Sequence, residues 1–281
     1  MNMDTGTIIG CILGGLLIFC AIVFGGQDGF APFWNGPALL IVFGCTAAAV
    51  FIAFPLTSIR KSVAAVKKCF AKPTTNPKEI IDQLVFFAES TRREGLLAQE
   101  RKLEDVRDPF LAEGLHLIVD GLPLATVENI LNSEIEAIQY RSQQERNVLL
   151  HCGKCAPAFG MLGTIIGLIM MLTNLSAESV GPGMAVAVLT TFYGVLAAHL
   201  FFLPVAEKLR QHHEAEIRIK AMIVRGVLAI QSGEHPRVIQ MQMLTFLPPE
   251  ERMEDYIVAD DDVQTILFPM VEDGVEMKQA A

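Results

Sequence analysis

The chain has 281 residues, of which 52% are hydrophobic but only 7% aromatic, and its formal net charge is −9. A single soluble domain of this length is seldom so apolar, and the aliphatic excess points to helices that cross a membrane. No nucleic-acid partner is expected; the negative charge sits almost wholly in the C-terminal tail, and the rest of the chain is close to neutral.

After a short N-terminus, residues 1–5, four apolar stretches are long enough to span a bilayer: 6–26, 37–56, 155–175 and 184–206. None carries Asp, Glu, Lys or Arg. The first lacks a basic leader and exceeds the apolar run of a signal peptide, so it is read as a span. Between the second and third lies a helical domain, 57–154. Beyond the fourth come C-terminal helices, 207–246, and a tail, 247–281. The fold class expected is all-α, an integral membrane protein with four transmembrane helices and a helical cytoplasmic domain.

Basic residues set the orientation. The links "QDGFAPFWNG" and "NLSAESVGPG" contain no Lys or Arg, whereas Arg60-Lys61 and Lys208-Arg210 flank the spans on the other side. The positive-inside rule then places both termini and the middle domain in the cytoplasm.

Within that domain, "NPKEIIDQLVFFAESTRREG" opens on a capping Asn followed by Pro, with Ile80, Ile81, Leu84, Val85 and Phe87 on one side. "DPFLAEGLHLIVDG" opens in the same way at Asp108-Pro109. "LATVENILNSEIEAIQYRSQQERNVLL" places Val127, Ile130, Leu131, Ile135 and Ile138 at helical spacing and has no breaker before Gly153. It is expected to run directly into the third span, and "EKLRQHHEAEIRIKAMIVRGVLAIQSG" to continue the fourth into the cytoplasm. From Glu250 the tail holds ten carboxylates against Arg252 and Lys278, and reads as a solvated segment. Its stretch "DDVQTILFPMV" is apolar enough to dock on something.

Six cysteines are scattered, and Cys152 and Cys155 form one CxxC beside the third span. One such pair without a second is a weak metal or redox signal, as are His212 and His213. No metal or cofactor is expected. There is no phosphate-binding loop, dinucleotide turn or catalytic triad spacing, so the chain does not read as an enzyme.

The third span, "CAPAFGMLGTIIGLIMML", carries its small residues at nearly regular spacing. At 100° per residue Gly160, Gly163, Thr164, Gly167 and Met171 share a face, a seam that lets another helix approach to backbone contact. For the glycines alone, close packing is a sufficient account. The fourth span has matching features in Thr190, Thr191, Gly194, Ala197 and Ala198. Pro157 and Pro204 fall on the cytoplasmic side of their spans and mark places where the helices can flex. Proton or cation conduction needs an intramembrane acid or carbonyl site. The polar lining available is Thr164, Thr190, Thr191 and His199, so either the chain is no ion pathway or the acid comes from a second protein packed against the small-residue face.

"APAFGMLGTIIGLIMML" and "GPGMAVAVLTTFYGVLAAHLFFLPVAEKL", in that order, resemble the MotA/PomA stator subunits of bacterial flagellar motors, and more closely the sodium-type PomA branch. "STRREGLLAQERKLE" and "RGVLAIQSGEHPRVI" resemble the family's cytoplasmic motifs. The resemblance covers about residues 6–246. It implies a homo-oligomeric ring, a pentamer, in the inner membrane, surrounding a single-span MotB/PomB-type partner. That partner is anchored to peptidoglycan and brings the ion-binding Asp. It further implies that Thr164, Thr190 and Thr191 line the environment of that Asp, and that Pro157 and Pro204 couple ion passage to shape change. Gly160, Gly163, Gly167 and Gly194 would form the packing face, and Arg92, Arg93 and Glu100 would meet the rotor protein FliG. The cargo is Na+ or H+. Threonine hydroxyls can replace part of sodium's hydration shell, which favours sodium, although they can instead cap carbonyls within their own helices. Three other readings stand beside this one: an ExbB/TolQ-like energiser, usually with three spans, a non-conducting membrane scaffold, and a channel that conducts without a partner, against which the lack of an intramembrane acid speaks.

Overall fold

The structure, a computed structural model, describes residues 10, 13–17, 19–20, 24, 31–69, 76–173 and 177–249. Segment 1–5, most of the expected span 6–26, residues 174–176 of the second outer link and the acidic stretch from 250 lie outside the described residues.

Among the described residues every regular element is helical. In chain order the helices are α1 (Gly36–Ala53), α2 (Leu56–Cys69), α3 (Pro77–Glu94), α4 (Pro109–Val119), α5 (Leu124–Thr173), α6 (Ala177–Leu196), α7 (Leu203–Gln231) and α8 (Pro236–Leu244). Short 3-10 turns occupy Ala31–Phe33 and Leu97–Asp105, and a π-helical stretch, Ala197–Phe202, joins α6 to α7. Among the described residues three helical stretches are long and apolar enough to cross a membrane: α1, α5, and the run Val180–Gln231 through α6 and α7. The chain divides into two compact units, 1–74 with 133–217, and 75–132 with 218–281.

The first unit holds the apolar helices. Asn35 starts α1 by accepting the Ala38 N–H on its side-chain oxygen at 3.0 Å, with Pro37 in the first turn. Ala38 and Val42 of α1 are buried against Leu189, Tyr193 and Ala197 of the fourth span and Ala156 of α5. Lower in the same unit, Ala65 of α2 packs with Leu149 of α5 and with Val205, Ala206 and Leu209 of α7. The Ser62 hydroxyl donates to the Glu145 carbonyl at 2.8 Å and ties α2 to α5.

Tyr193 does a second job. Its hydroxyl donates to the Phe33 carbonyl and accepts the Asn35 N–H at 3.2 Å. Backbone groups outside a helix need such partners, because no helical ladder supplies them. The Phe33 and Phe192 rings meet edge-on at 5.8 Å and close the same corner.

The second unit is built from α3, α4, α8 and the adjoining ends of α5 and α7. Its sequence cues act as expected. Asn76 accepts the Lys78 N–H, and Asp108 accepts both Phe110 and Leu111 N–H at 3.0 Å. On α3, Ile80, Ile81, Leu84 and Phe87 are buried, while Val85 is half-buried and Ala88 joins the core instead. On α5, Val127, Leu131 and Ile135 are buried, Ile138 is half-buried and Ile130 is exposed. Gly226 of α7 lies so near Leu84 that a Cβ there would sit 2.6 Å from Leu84 Cδ1. Gly233, at φ 73°, turns the chain after α7. His235 then caps α8 through Nδ1, which accepts the Arg237 N–H at 3.2 Å.

Tyr193→Phe keeps the ring and removes the hydroxyl, leaving the Phe33 carbonyl and Asn35 N–H without that partner at a cost of about 1–3 kcal/mol. The chain's single tryptophan is Trp34, between those two residues. The expected result is a lower denaturant midpoint in detergent, with lower Trp34 emission anisotropy. Unchanged values for both would show that the clamp contributes nothing.

Candidate functional site

α5 and α6 meet along the glycine seam, and the seam is closed within one chain. Each glycine of α5 faces a particular point on α6. A Cβ on Gly160 would lie 2.9 Å from the Thr190 carbonyl oxygen and 3.3 Å from Thr191 Cα. One on Gly163 would fall 2.5 Å from the Thr190 side chain. One on Gly167 would reach 2.6 Å from both the Ala187 nitrogen and the Gly183 carbonyl oxygen. From the other side, a Cβ on Gly194 would be 2.6 Å from the Ala156 carbonyl oxygen. Each glycine has at least one approach closer than real Cβ contacts allow, and most of the obstructing atoms are backbone, which cannot step aside. Gly183, Ala187 and Ala156 thus complete the seam, and the spacing of Gly183 and Ala187 with Thr190 and Gly194 was the signal available in "GMAVAVLTTFYG".

The three threonines differ. Thr190 is 0% exposed, and its hydroxyl lies within hydrogen-bonding distance of the Val186 and Ala187 carbonyls at 2.9 and 3.0 Å. Its methyl and hydroxyl fill the space opposite Gly163. Thr164 and Thr191 are both only half-buried. The Thr164 hydroxyl donates to the Met161 carbonyl at 2.6 Å. Beside Thr164, the outer face of α5 shows Met161, Leu162, Ile165, Leu168 and Ile169 exposed.

The prolines sit in two kinds of helix. α5 continues through Pro157 without interruption. Pro204 follows the π-helical stretch Ala197–Phe202, where the Leu203 N–H reaches back to the Ala198 carbonyl. Pro204 has no N–H for the Leu200 carbonyl, and its ring crowds that turn; the wider winding before it relieves the crowding. His199 is exposed within the widened turn. Ala156 faces Gly194 and Gly153 faces Leu203. Pro204 therefore lies about one helical turn nearer the basic end than Pro157.

Arg92 and Arg93 are exposed in the last turn of α3, which ends at Gly95 with φ 86°. The Leu97–Asp105 turn folds back on that helix, where Lys102 pairs with Glu94 at 2.8 Å and lies 5.7 Å from the centroid of the Phe86 ring. The backbone of Glu100 belongs to this turn, and its side chain lies outside the described residues. The two arginines belong to the second unit, and the threonines, prolines and seam glycines to the first. At the CxxC, burial and the neighbouring Cys155 push the Cys152 thiol up, away from the thiolate form that redox or metal chemistry uses. Among the described residues no three His, Cys, Asp or Glu side chains gather as a metal cage requires.

Residues 102–222 match the model of the MotA/TolQ/ExbB proton channel family. Motility protein A of Treponema pallidum is 37% identical over 90% of this chain and 97% of its own length. The chain belongs to this family. The chemotaxis protein PomA of Vibrio alginolyticus is 34% identical over 89% of this chain and 98% of its own length. The two identities are so close that they do not assign this MotA homologue to the sodium-type branch. A chain of the flagellar MotAB stator complex of Bacillus subtilis superposes with a TM-score of 0.83, covering 89% of this chain and 99% of that one at 32% identity.

The seam orders the glycine substitutions. Gly194→Ala and Gly167→Ala press a methyl onto backbone and should destabilise the protein by about 1–3 kcal/mol. Gly181 has nothing within 4 Å of its would-be Cβ, and Gly181→Ala should be neutral or stabilising. Thermal melts of the detergent-solubilised variants check the order, and equal melting temperatures for all three would contradict it.

Proposed function

We propose that this chain is the ring-forming subunit of a flagellar motor stator, which converts cation flow into torque on the rotor. The observation that carries the reading is the likeness to the Bacillus subtilis MotAB stator, at 32% identity and over nearly the whole of both chains. It is supported by spans that hold no Asp, Glu, Lys or Arg. A cation crossing such spans needs a carboxylate from elsewhere, and a MotB/PomB-type single-span, peptidoglycan-anchored partner supplies it. Five copies of the chain surround that partner in the lipid of the inner membrane, with both termini cytoplasmic. The chain is an ion-channel subunit and not an enzyme.

Within this reading Thr164 and Thr191 border the partner's Asp, because they keep some exposure. Thr190 is sealed inside the seam and serves the approach of the two spans. The widened turn before Pro204, together with Pro157, is where a change in the charge state of that Asp alters helix shape. One charge falling through ~100 mV releases ~2.3 kcal/mol, enough to bias a two-state rearrangement. Arg92, Arg93 and Glu100 meet charged residues of FliG. Exposed pairs of this kind are worth ~0–1 kcal/mol each and are screened by salt, which suits contacts broken at every step. Sodium is the cargo favoured by the two hydroxyls.

Expression of the chain with its single-span partner in a strain lacking stators should restore swimming; no rescue despite membrane insertion of both would overturn the reading. At fixed pH, swimming speed should rise with external sodium. Speed unaffected by sodium removal would assign the proton instead. Thr191→Val should raise the sodium level for half-maximal speed by roughly tenfold, the worth of one lost hydrogen-bonding oxygen. Thr190→Val, which keeps the shape facing Gly163, should leave it unchanged.

A further inference from the structure

Where α2, α5 and α7 approach one another within the first unit, they leave a cavity of about 420 Å³. It exists because α2 presents the small Ala64 and Ala65 there beside Lys61, while the Ser62 hydrogen bond to the Glu145 carbonyl ties α2 to α5. Its charged and titratable lining is Lys61, Arg141, Glu145, His212, His213 and Glu216. Arg146 lies near enough for its charge to act on His213. The lining carries two permanent cations, Lys61 and Arg141, both exposed at its mouth, against Glu145 and Glu216, with Glu145 3.9 Å from His213. The lining is thus balanced in charge, and protonation of His213 makes it positive.

A second observation comes from α2 itself. It begins within three residues of the end of α1, and its outward face exposes Leu56 and Val63 in alternation with Arg60 and Lys67. A basic amphipathic helix directly after a span is the pattern of a segment lying in the headgroup layer.

We infer that this cavity is a binding site for a phosphate-bearing anion, gripped by Lys61 and Arg141, with an anionic phospholipid headgroup as the source that α2 favours. The phosphate enters between the two cations, with His212 and His213 at the cavity wall, and a lipid's acyl chains run along Leu56 and Val63. The site would fasten α2 to the bilayer and to α5 and α7 together. It is independent of the stator reading, because nothing in it requires the partner or the rotor.

Burial, with help from His212 and Arg146, holds His213 below the ordinary histidine value, against the opposing effect of Glu216. Bound phosphate adds negative charge beside it and raises that value, within a ring of groups formed by Lys61 on α2, Arg141, Glu145 and Arg146 on α5, and His212 and Glu216 on α7. Anion binding should accordingly strengthen as pH falls below the usual histidine range.

The test uses the full chain purified in detergent. Native mass spectrometry counts phosphatidylglycerol retained against phosphatidylcholine, and phosphorus NMR of delipidated protein reads inorganic phosphate. The expected result is selective retention of phosphatidylglycerol. Lys61→Gln with Arg141→Gln should weaken it by roughly 25-fold, at about fivefold per cation removed. Ala64→Leu, which keeps every charge and fills the cavity, should weaken it as well. Inorganic phosphate bound without lipid preference, and lost in the same variants, would keep the site and name the free anion as its source. Neither anion bound, or binding untouched by both variants, overturns the inference.

Discussion

The whole membrane unit rests on one contact, the backbone approach of the third and fourth spans along Gly160, Gly163, Gly167, Gly183 and Gly194. In lipid there is no hydrophobic gain from burying apolar side chains, because the acyl chains are as apolar as leucine. What holds two spans together is the number of atoms in van der Waals contact, and that number is largest where side chains are smallest. The seam takes this to its limit, since added methyl groups would meet backbone atoms or, at Gly163, the Thr190 side chain.

A pair packed so closely cannot slide, and the rest of the unit is arranged around it. Tyr193 projects from this pair and holds the entry to α1 through the Phe33 carbonyl and the Asn35 N–H. Thr190 fills the gap opposite Gly163, with its hydroxyl turned to its own helix. Movement has to be found where the seam ends. There the winding loosens over Ala197–Phe202 and Pro204 leaves the Leu200 carbonyl without its helical donor. Rigid seam and loosened turn lie on the same helix, a few residues apart.

Much of this was legible in the sequence, for reasons that are local. The capping side chains of Asn76 and Asp108 act on N–H groups two or three residues away, so the motif contains both partners. The glycine seam was legible as a face, because period alone defines it. The neighbour that covers the face was not: a stripe of small residues fits the fourth span, a second copy or another protein equally well. The Tyr193 clamp joins positions 158 and 160 residues apart, and no local pattern announces it. The division among Thr164, Thr190 and Thr191 was equally hidden, since three hydroxyls of one type end in different surroundings only once the spans are packed. His235 as the cap of α8 was missed because histidine seldom serves there, although "SGEHP" marked the boundary.

The absence of charge from the spans and the density of the seam belong to one physical solution. A carboxylate in hydrocarbon costs several kcal/mol unless paired, and a helix bearing one needs a polar niche that loosens its packing. A chain that keeps every carboxylate out of its membrane segments can close its third and fourth spans to backbone contact. If the stator reading holds, the charge that must change state is carried on a separate helix, and ion loading acts on contacts at the edge of a rigid pair instead of inside it. The two half-buried hydroxyls, Thr164 and Thr191, lie beside that pair, next to the exposed Met161 and Ile165 that another helix would cover. Separating the titrating group from the packed seam lets the first change thousands of times without the second having to come apart.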